Sequence, residues 1–176
     1  MSGAGLLPEE FDDDEDIVTE PLTDLIDTDG FAPRQLALLS NALVWRESFL
    51  LRREFNLGTN DWRVISVLAA RPGSSSTEIA DFIGMNKAVV SKAMNTLIDR
   101  DLIVANVGPY GSRPLFLTRE GAEMHGRMKP ISSRGEEIIL EGLDEHEIAQ
   151  LKSLLARLIS KIPALSSVPD VAAPRD

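Results

Sequence analysis

The chain has 176 residues, 28 acidic against 18 basic side chains, a 43% hydrophobic content and no cysteine. That is enough for one domain or a small two-part chain with a real core, and too apolar for a disordered chain. The missing cysteines exclude a disulfide framework, a thiolate metal site, a cysteine nucleophile and a thiol redox switch, and the net charge of −10 argues at first sight against nucleic acid.

The charge is unevenly placed. Residues 1–30 contain eleven acids and no base, which leaves residues 31–176 with 17 acids, all 18 bases and a net of +1. The body is neutral, and residues 1–30 read as an acidic, disordered tail. A sharper reading of the same run is phosphate mimicry, in competition for a basic face of the body. The first twenty residues lack both a basic and an apolar segment, so they do not read as a secretory signal. No apolar run approaches the roughly 20 residues of a membrane span. A soluble cytoplasmic protein with no membrane partner is the expectation.

Pro33 opens the first predicted helix, over 33–56, where its missing N–H costs nothing. Leu36, Leu39, Leu43 and Leu50 fall on one face, and Leu38, Ala42, Trp45 and Phe49 on a second, so this helix needs more than one packing partner. Asn56-Leu57-Gly58 ends it, with Gly58 suited to the left-handed C-terminal position. Thr59 can cap a second helix through Ala70, with Trp62, Ile65, Val67 and Leu68 as its apolar positions, and Arg71-Pro72-Gly73 is a stop. Ser75 with Glu78 three residues on fits a capping box for a short third helix. Gly84 turns the chain, and Asn86 can cap a fourth helix running to about Asp101.

That fourth helix carries the chemistry. Val90, Met94, Leu97 and Ile98 form one apolar face, and Ala88, Ser91, Lys92 and Asn95 the opposite one, with Lys87 in the first turn. Small residues, amide and hydroxyl donors and two cations suit approach to a major groove, with bonds to phosphates and base edges. An ordinary amphipathic surface helix has the same periodicity. Beyond it, residues 102–107 and 113–117 read as a β-hairpin around Gly108–Ser112, with Arg113 near its tip. Thr118 can cap a further helix that Pro130 interrupts. Asp144 and Glu147 form a second capping box, for a last helix to about Ile162 whose apolar stripe has coiled-coil spacing. Residues 163–176 read as a frayed, flexible end. The fold class is mainly α, a winged helix-turn-helix with a two-stranded β wing flanked by N- and C-terminal helices.

Residues Asp61–Ile65, Thr77–Ala80, Lys87–Lys92, Leu97–Ile103, Leu117–Gly121 and Gly142–Glu147, taken in order, make residues 33–162 resemble the MarR family of bacterial winged-helix regulators. The resemblance implies a domain over 31–162, with a winged helix at about 57–119 and dimerisation helices at about 33–56 and 119–162. It implies a homodimer that binds double-stranded DNA at a pseudo-palindromic operator, as a ligand-responsive repressor. Each fourth helix would enter a major groove and each wing a minor groove. The family's wing usually bears Asp-x-Arg. Here Gly111 stands at the Asp position if Arg113 is the wing arginine, and another alignment puts Pro109-Tyr110-Gly111 on the motif. Either way the carboxylate is missing, which shifts weight onto Lys87, Lys92 and the helix start at Ser75, Ser76 and Thr77.

The resemblance also implies an effector pocket where the first, second and fifth helices meet, with Trp45, Arg46, Trp62 and His125 as candidate lining. Core packing is the alternative for both tryptophans. Arg46, Arg52 and Arg53, if they converge, suit a small anionic aromatic effector or its CoA thioester; pairing with Glu47 and Glu54 is their alternative. His125 and His146 are in no metal-ligand spacing, and no Gly-rich phosphate loop or Gly-x-Ser-x-Gly is present. No catalysis, cofactor or metal is therefore expected, and the competing function is a winged helix that binds only protein.

Overall fold

A computed structural model describes residue 18 and residues 20–27, 29–108 and 113–167. The elements run α1 (Ala32–Phe55), α2 (Thr59–Ala70), α3 (Ser76–Ile83), α4 (Lys87–Ile98), β1 (Ile103–Ala105), β2 (Leu115–Leu117), α5 (Arg119–Leu140), α6 (Glu145–Ile159) and α7 (Ile162–Ser167). α7 occupies the start of the stretch expected to fray. Most of the acidic run, the hairpin tip at 109–112 and the last nine residues lie outside the described residues.

The chain divides into two compact units at Ser40 and Asn41, within α1. In the first, the Asp27 carboxylate accepts from the N–H groups of Asp29 (3.2 Å) and Gly30 (3.1 Å), a local turn that leads into α1. Leu36, Leu38 and Leu39 are exposed on the opening turns of α1.

In the second unit Ile65, Leu68, Ile79, Val90, Leu97, Leu102, Leu115 and Met128 form the centre of the core, joined by Leu51 from the end of α1. The predicted start of α2 needs correction. Gly58, not Thr59, is the capping residue: its backbone is extended, and its N–H donates to Asp61 Oδ2 at 2.7 Å. Asn56 (φ 52), not Gly58, takes the left-handed conformation that ends α1, a geometry that asparagine tolerates better than most residues. Thr59 is buried instead.

α3 begins as expected, with Ser75 as its cap and Glu78 reciprocating, and it ends at Gly84 in the left-handed region (φ 63). Asn86 caps α4 by accepting from Ala88 N–H at 2.8 Å. α4 stops at Ile98, earlier than predicted, and Asp101 (φ 56) turns the chain into β1. Its buried residues are Val90, Ala93 and Leu97; Ile98, expected inside, is exposed. β1 and β2 pair antiparallel with Ile103 opposite Leu117 and Ala105 opposite Leu115, shorter than the predicted hairpin arms.

α5 runs unbroken through Pro130, against the expected interruption. An internal proline costs a helix about 3 kcal/mol, but Met128 and Ile131 on either side of it are buried in the core. Tertiary packing outweighs the local cost. α5 lies against α1 at Gly135, where a Cβ would meet Leu43 (3.6 Å) and Arg46 (3.7 Å) at ordinary van der Waals distance. α6 buries none of its residues fully, and Leu154, Leu158 and Ile159 are more than half exposed.

Candidate nucleic-acid interface

The two capped helices α3 and α4 pack on each other, and each carries exposed polar residues. At the head of α3, Ser75 Oγ accepts from Glu78 N–H (3.3 Å), while Glu78 Oε2 accepts from Ser75 N–H and Ser75 Oγ–H, both at 2.8 Å. Those two bonds hold the Glu78 carboxyl below its ordinary value. The Ser75 N–H is thus engaged, so at this helix start an anion would meet the amides of Ser76 and Thr77. Thr77 is exposed and Ser76 partly so.

On α4, Lys87, Ala88, Ser91, Lys92 and Asn95 are all exposed. They lie opposite the buried Val90, Ala93 and Leu97, as the spacing predicts. Val89, which the sequence reading did not single out, is 36% exposed beside them. Arg113 is exposed immediately before β2. The wing is tied to the turn before α3: Gly73 N–H donates to Leu115 O (2.8 Å) and Leu115 N–H donates to Ser74 O (3.2 Å), both bonds outside the two-stranded sheet.

Of the four candidate effector residues, Trp62 and His125 are brought into contact. Trp62 is buried and stacks on His125, with ring centroids 5.2 Å apart and 22° between planes. Arg46 Nη1 donates to Ile131 O at 3.0 Å, bracing α1 on α5. Trp45 is 78% exposed on α1. The three arginines of α1 diverge. Arg52 donates to Ser48 Oγ (3.2 Å), and Arg53 pairs with Glu54 (2.8 Å). Glu47 accepts from Ser132 on α5 rather than pairing with an arginine.

A cleft of about 650 Å³ opens elsewhere, between α1, the head of α2 and α4. Ser48 and Arg52 line it from α1, Thr59 and Asp61 from α2, and Val89, Lys92 and Thr96 from α4. Burial pushes the Asp61 carboxyl above its ordinary value, against the opposing pull of the Gly58 N–H and of Arg100, Arg52 and Lys92. The Thr59 hydroxyl is buried without a hydrogen-bond partner. Sequence reasoning missed this cleft because its members come from three elements and share no motif; an acid three residues after Gly58 was its one local signal.

Among the described residues no group of three or more His, Asp or Glu could hold a metal ion, and no helix is long and apolar enough to cross a membrane.

A family model described as MarR family matches residues 55–113. A MarR/EmrR family transcriptional regulator from Acinetobacter sp. ADP1 is 30% identical, with a TM-score of 0.73, over 79% of this chain and 99% of its own. A putative MarR family transcriptional regulator from Listeria monocytogenes, solved with 26mer DNA, is 18% identical with a TM-score of 0.69 over 75% of this chain and 89% of its own. The S. aureus MepR–DNA complex is 19% identical with a TM-score of 0.68, over 75% and 96%. No curated protein matches the chain.

Proposed function

Because the chain belongs to the MarR family of transcriptional regulators, we propose that it binds double-stranded DNA in a sequence-dependent way, as a homodimer on a pseudo-palindromic operator, and represses transcription until an effector releases it. The observation that carries the reading is α4. Its exposed face of Lys87, Ala88, Ser91, Lys92 and Asn95 is small enough to enter a major groove, and it stands on a fully buried opposite face that fixes its orientation. Ser76 and Thr77 would position the backbone, and Arg113 would lie along the minor groove. Two neighbours of the same fold were solved with DNA.

The homodimer reading rests on apolar surface. Leu154, Leu158, Ile159 and Ile162 stay more than half exposed along the C-terminal helices, and an apolar stripe of that length marks a docking surface. In this reading residues 31–162 form the domain, with the winged helix at about 57–119 and acidic and C-terminal tails outside it.

For the effector, the cleft beside Arg52 and Lys92 stands as a second candidate site next to the quartet of Trp45, Arg46, Trp62 and His125. The two cations suit a small anionic aromatic molecule or its CoA thioester. A ligand there would draw on Lys92, which would also face the DNA in this reading.

Mobility-shift titration tests the central claim. The expected result is a shift at low salt on DNA upstream of the protein's own gene, and none on a scrambled duplex of the same length. No sequence-dependent shift overturns the regulator reading and favours a winged helix that binds only protein.

A further inference from the structure

α4 leaves its DNA-facing turns through residues 99–102, and two other helices hold that exit. Asp101 N–H donates to Ile98 O and Leu102 N–H to Leu97 O, each at 2.9 Å, so the turn is continuous with α4. On one side, Arg100 Nη1 donates to Phe55 O at 3.0 Å and to Asn56 O at 3.1 Å. These carbonyls end α1, where no further helical amide satisfies them. On the other side, Thr118 at the head of α5 donates its hydroxyl to Asp101 O (2.7 Å) and its N–H to Leu102 O (3.1 Å). Gly121 in the first turn of α5 lies so near that a Cβ would stand 1.9 Å from Leu102 O. The two grips are themselves linked, because the Arg127 guanidinium of α5 lies over the Phe55 ring at 5.1 Å.

We propose that this four-residue turn is the joint through which α1 and α5 set the tilt of α4 on DNA, with Arg100 as its positioning residue; the inference rests on the DNA-binding reading above. One guanidinium nitrogen holds two consecutive carbonyls, so a shift of about 1 Å between α1 and α4 breaks both bonds. Arg100 makes no salt bridge among the described residues; its partners are backbone atoms 44 and 45 positions away. Losing the grip lets α4 change tilt without removing any group that touches phosphate. Tilt governs contact with base edges, whereas charge governs non-specific affinity. A positioning role therefore lowers specificity and leaves the salt dependence unchanged.

The test uses the full chain and two duplexes: the one that the wild type enriches most from a random pool, and its scrambled counterpart. Arg100→Met should lose about tenfold in affinity for the enriched duplex. It should keep wild-type affinity for the scrambled one and an unchanged salt slope, and Arg100→Lys should recover part of the loss. Equal losses on both duplexes with a slope reduced by about one would make Arg100 a phosphate contact and overturn the proposal. Unchanged affinity on both would overturn it as well.

Hydrogen exchange separates positioning from folding. In Arg100→Met the α2 amides should stay as protected as in the wild type, while Asp101 and Leu102 exchange faster. If Arg100→Met is deprotected throughout, the Lys variant decides: a lowered specificity ratio supports the joint, and a wild-type ratio overturns it. A wild type that enriches no duplex overturns the regulator reading itself, and this is read before any variant is made.

Discussion

Single residues of α4 divide into those that would carry charge to phosphate and those that would read bases. Lys92 is exposed, and Lys92→Ala should weaken binding to operator and random DNA alike and reduce the salt slope by about one. Asn95→Ala should cost about 1–3 kcal/mol on the operator and little on random DNA; equal losses on both would make Asn95 a positioning contact. Asp61 gives a prediction in pH. Burial raises its carboxyl above the ordinary 3.8, outweighing the Gly58 N–H, Arg100, Arg52 and Lys92. An acid with a raised folded-state pKa holds its proton more tightly when folded. Its contribution is full below the unfolded value and is lost as pH rises through the folded one. The wild type should therefore gain stability relative to Asp61→Asn as pH falls from neutral toward about 4, in urea melts at stepped pH. A relative loss on acidification would contradict the assignment. Arg46 shows why single residues were the least legible level. Its type and position suit an effector contact, and it also bonds a backbone carbonyl 85 residues away, which no local pattern announces.

At the level of elements the sequence was far more informative, because caps and breakers act locally. Ser75 with Glu78, Asn86, Thr118, and Asp144 with Glu147 each start a helix where their chemistry places them. The errors lie where tertiary contacts override local preference. Thr59 is drawn into the core, and α5 continues through Pro130 because Met128 and Ile131 are buried around it. The packing of α5 on the turn after α4 also makes a sharp prediction. Gly121→Ala would gain up to about 1 kcal/mol of helix propensity, but its methyl group would overlap the Leu102 carbonyl at 1.9 Å. The overlap should win, with a net loss of about 2–4 kcal/mol in denaturant melts. A neutral or stabilised variant would mean that α5 can slide at little cost, and would weaken the case for a joint there.

For the whole molecule, assembly and charge are the open levers. Sedimentation should find a dimer, and Leu158→Glu, placed on the exposed stripe of α6, should shift it toward monomer and abolish operator binding while the helical content stays the same. A variant that remains dimeric would move the interface elsewhere. The eleven acids of residues 1–30 repel the same polyanion that α4 would approach. Deleting that segment should leave the melting transition intact and tighten DNA binding at low salt. The gain should fade once the screening length falls to about 8–10 Å near physiological salt, and unchanged or weaker affinity at low salt would retire the idea. The net charge thus describes a segment, and a count over the whole chain concealed the neutral body behind it.

The chain's two tryptophans sit in opposite surroundings, Trp62 stacked on His125 in the core and Trp45 largely in water. This gives the protein two built-in fluorophores of different colour, with no label needed. Unfolding red-shifts the indole that is now blue. Anything that covers α1 around Trp45 blue-shifts the other, so one emission spectrum separates loss of fold from gain of a partner.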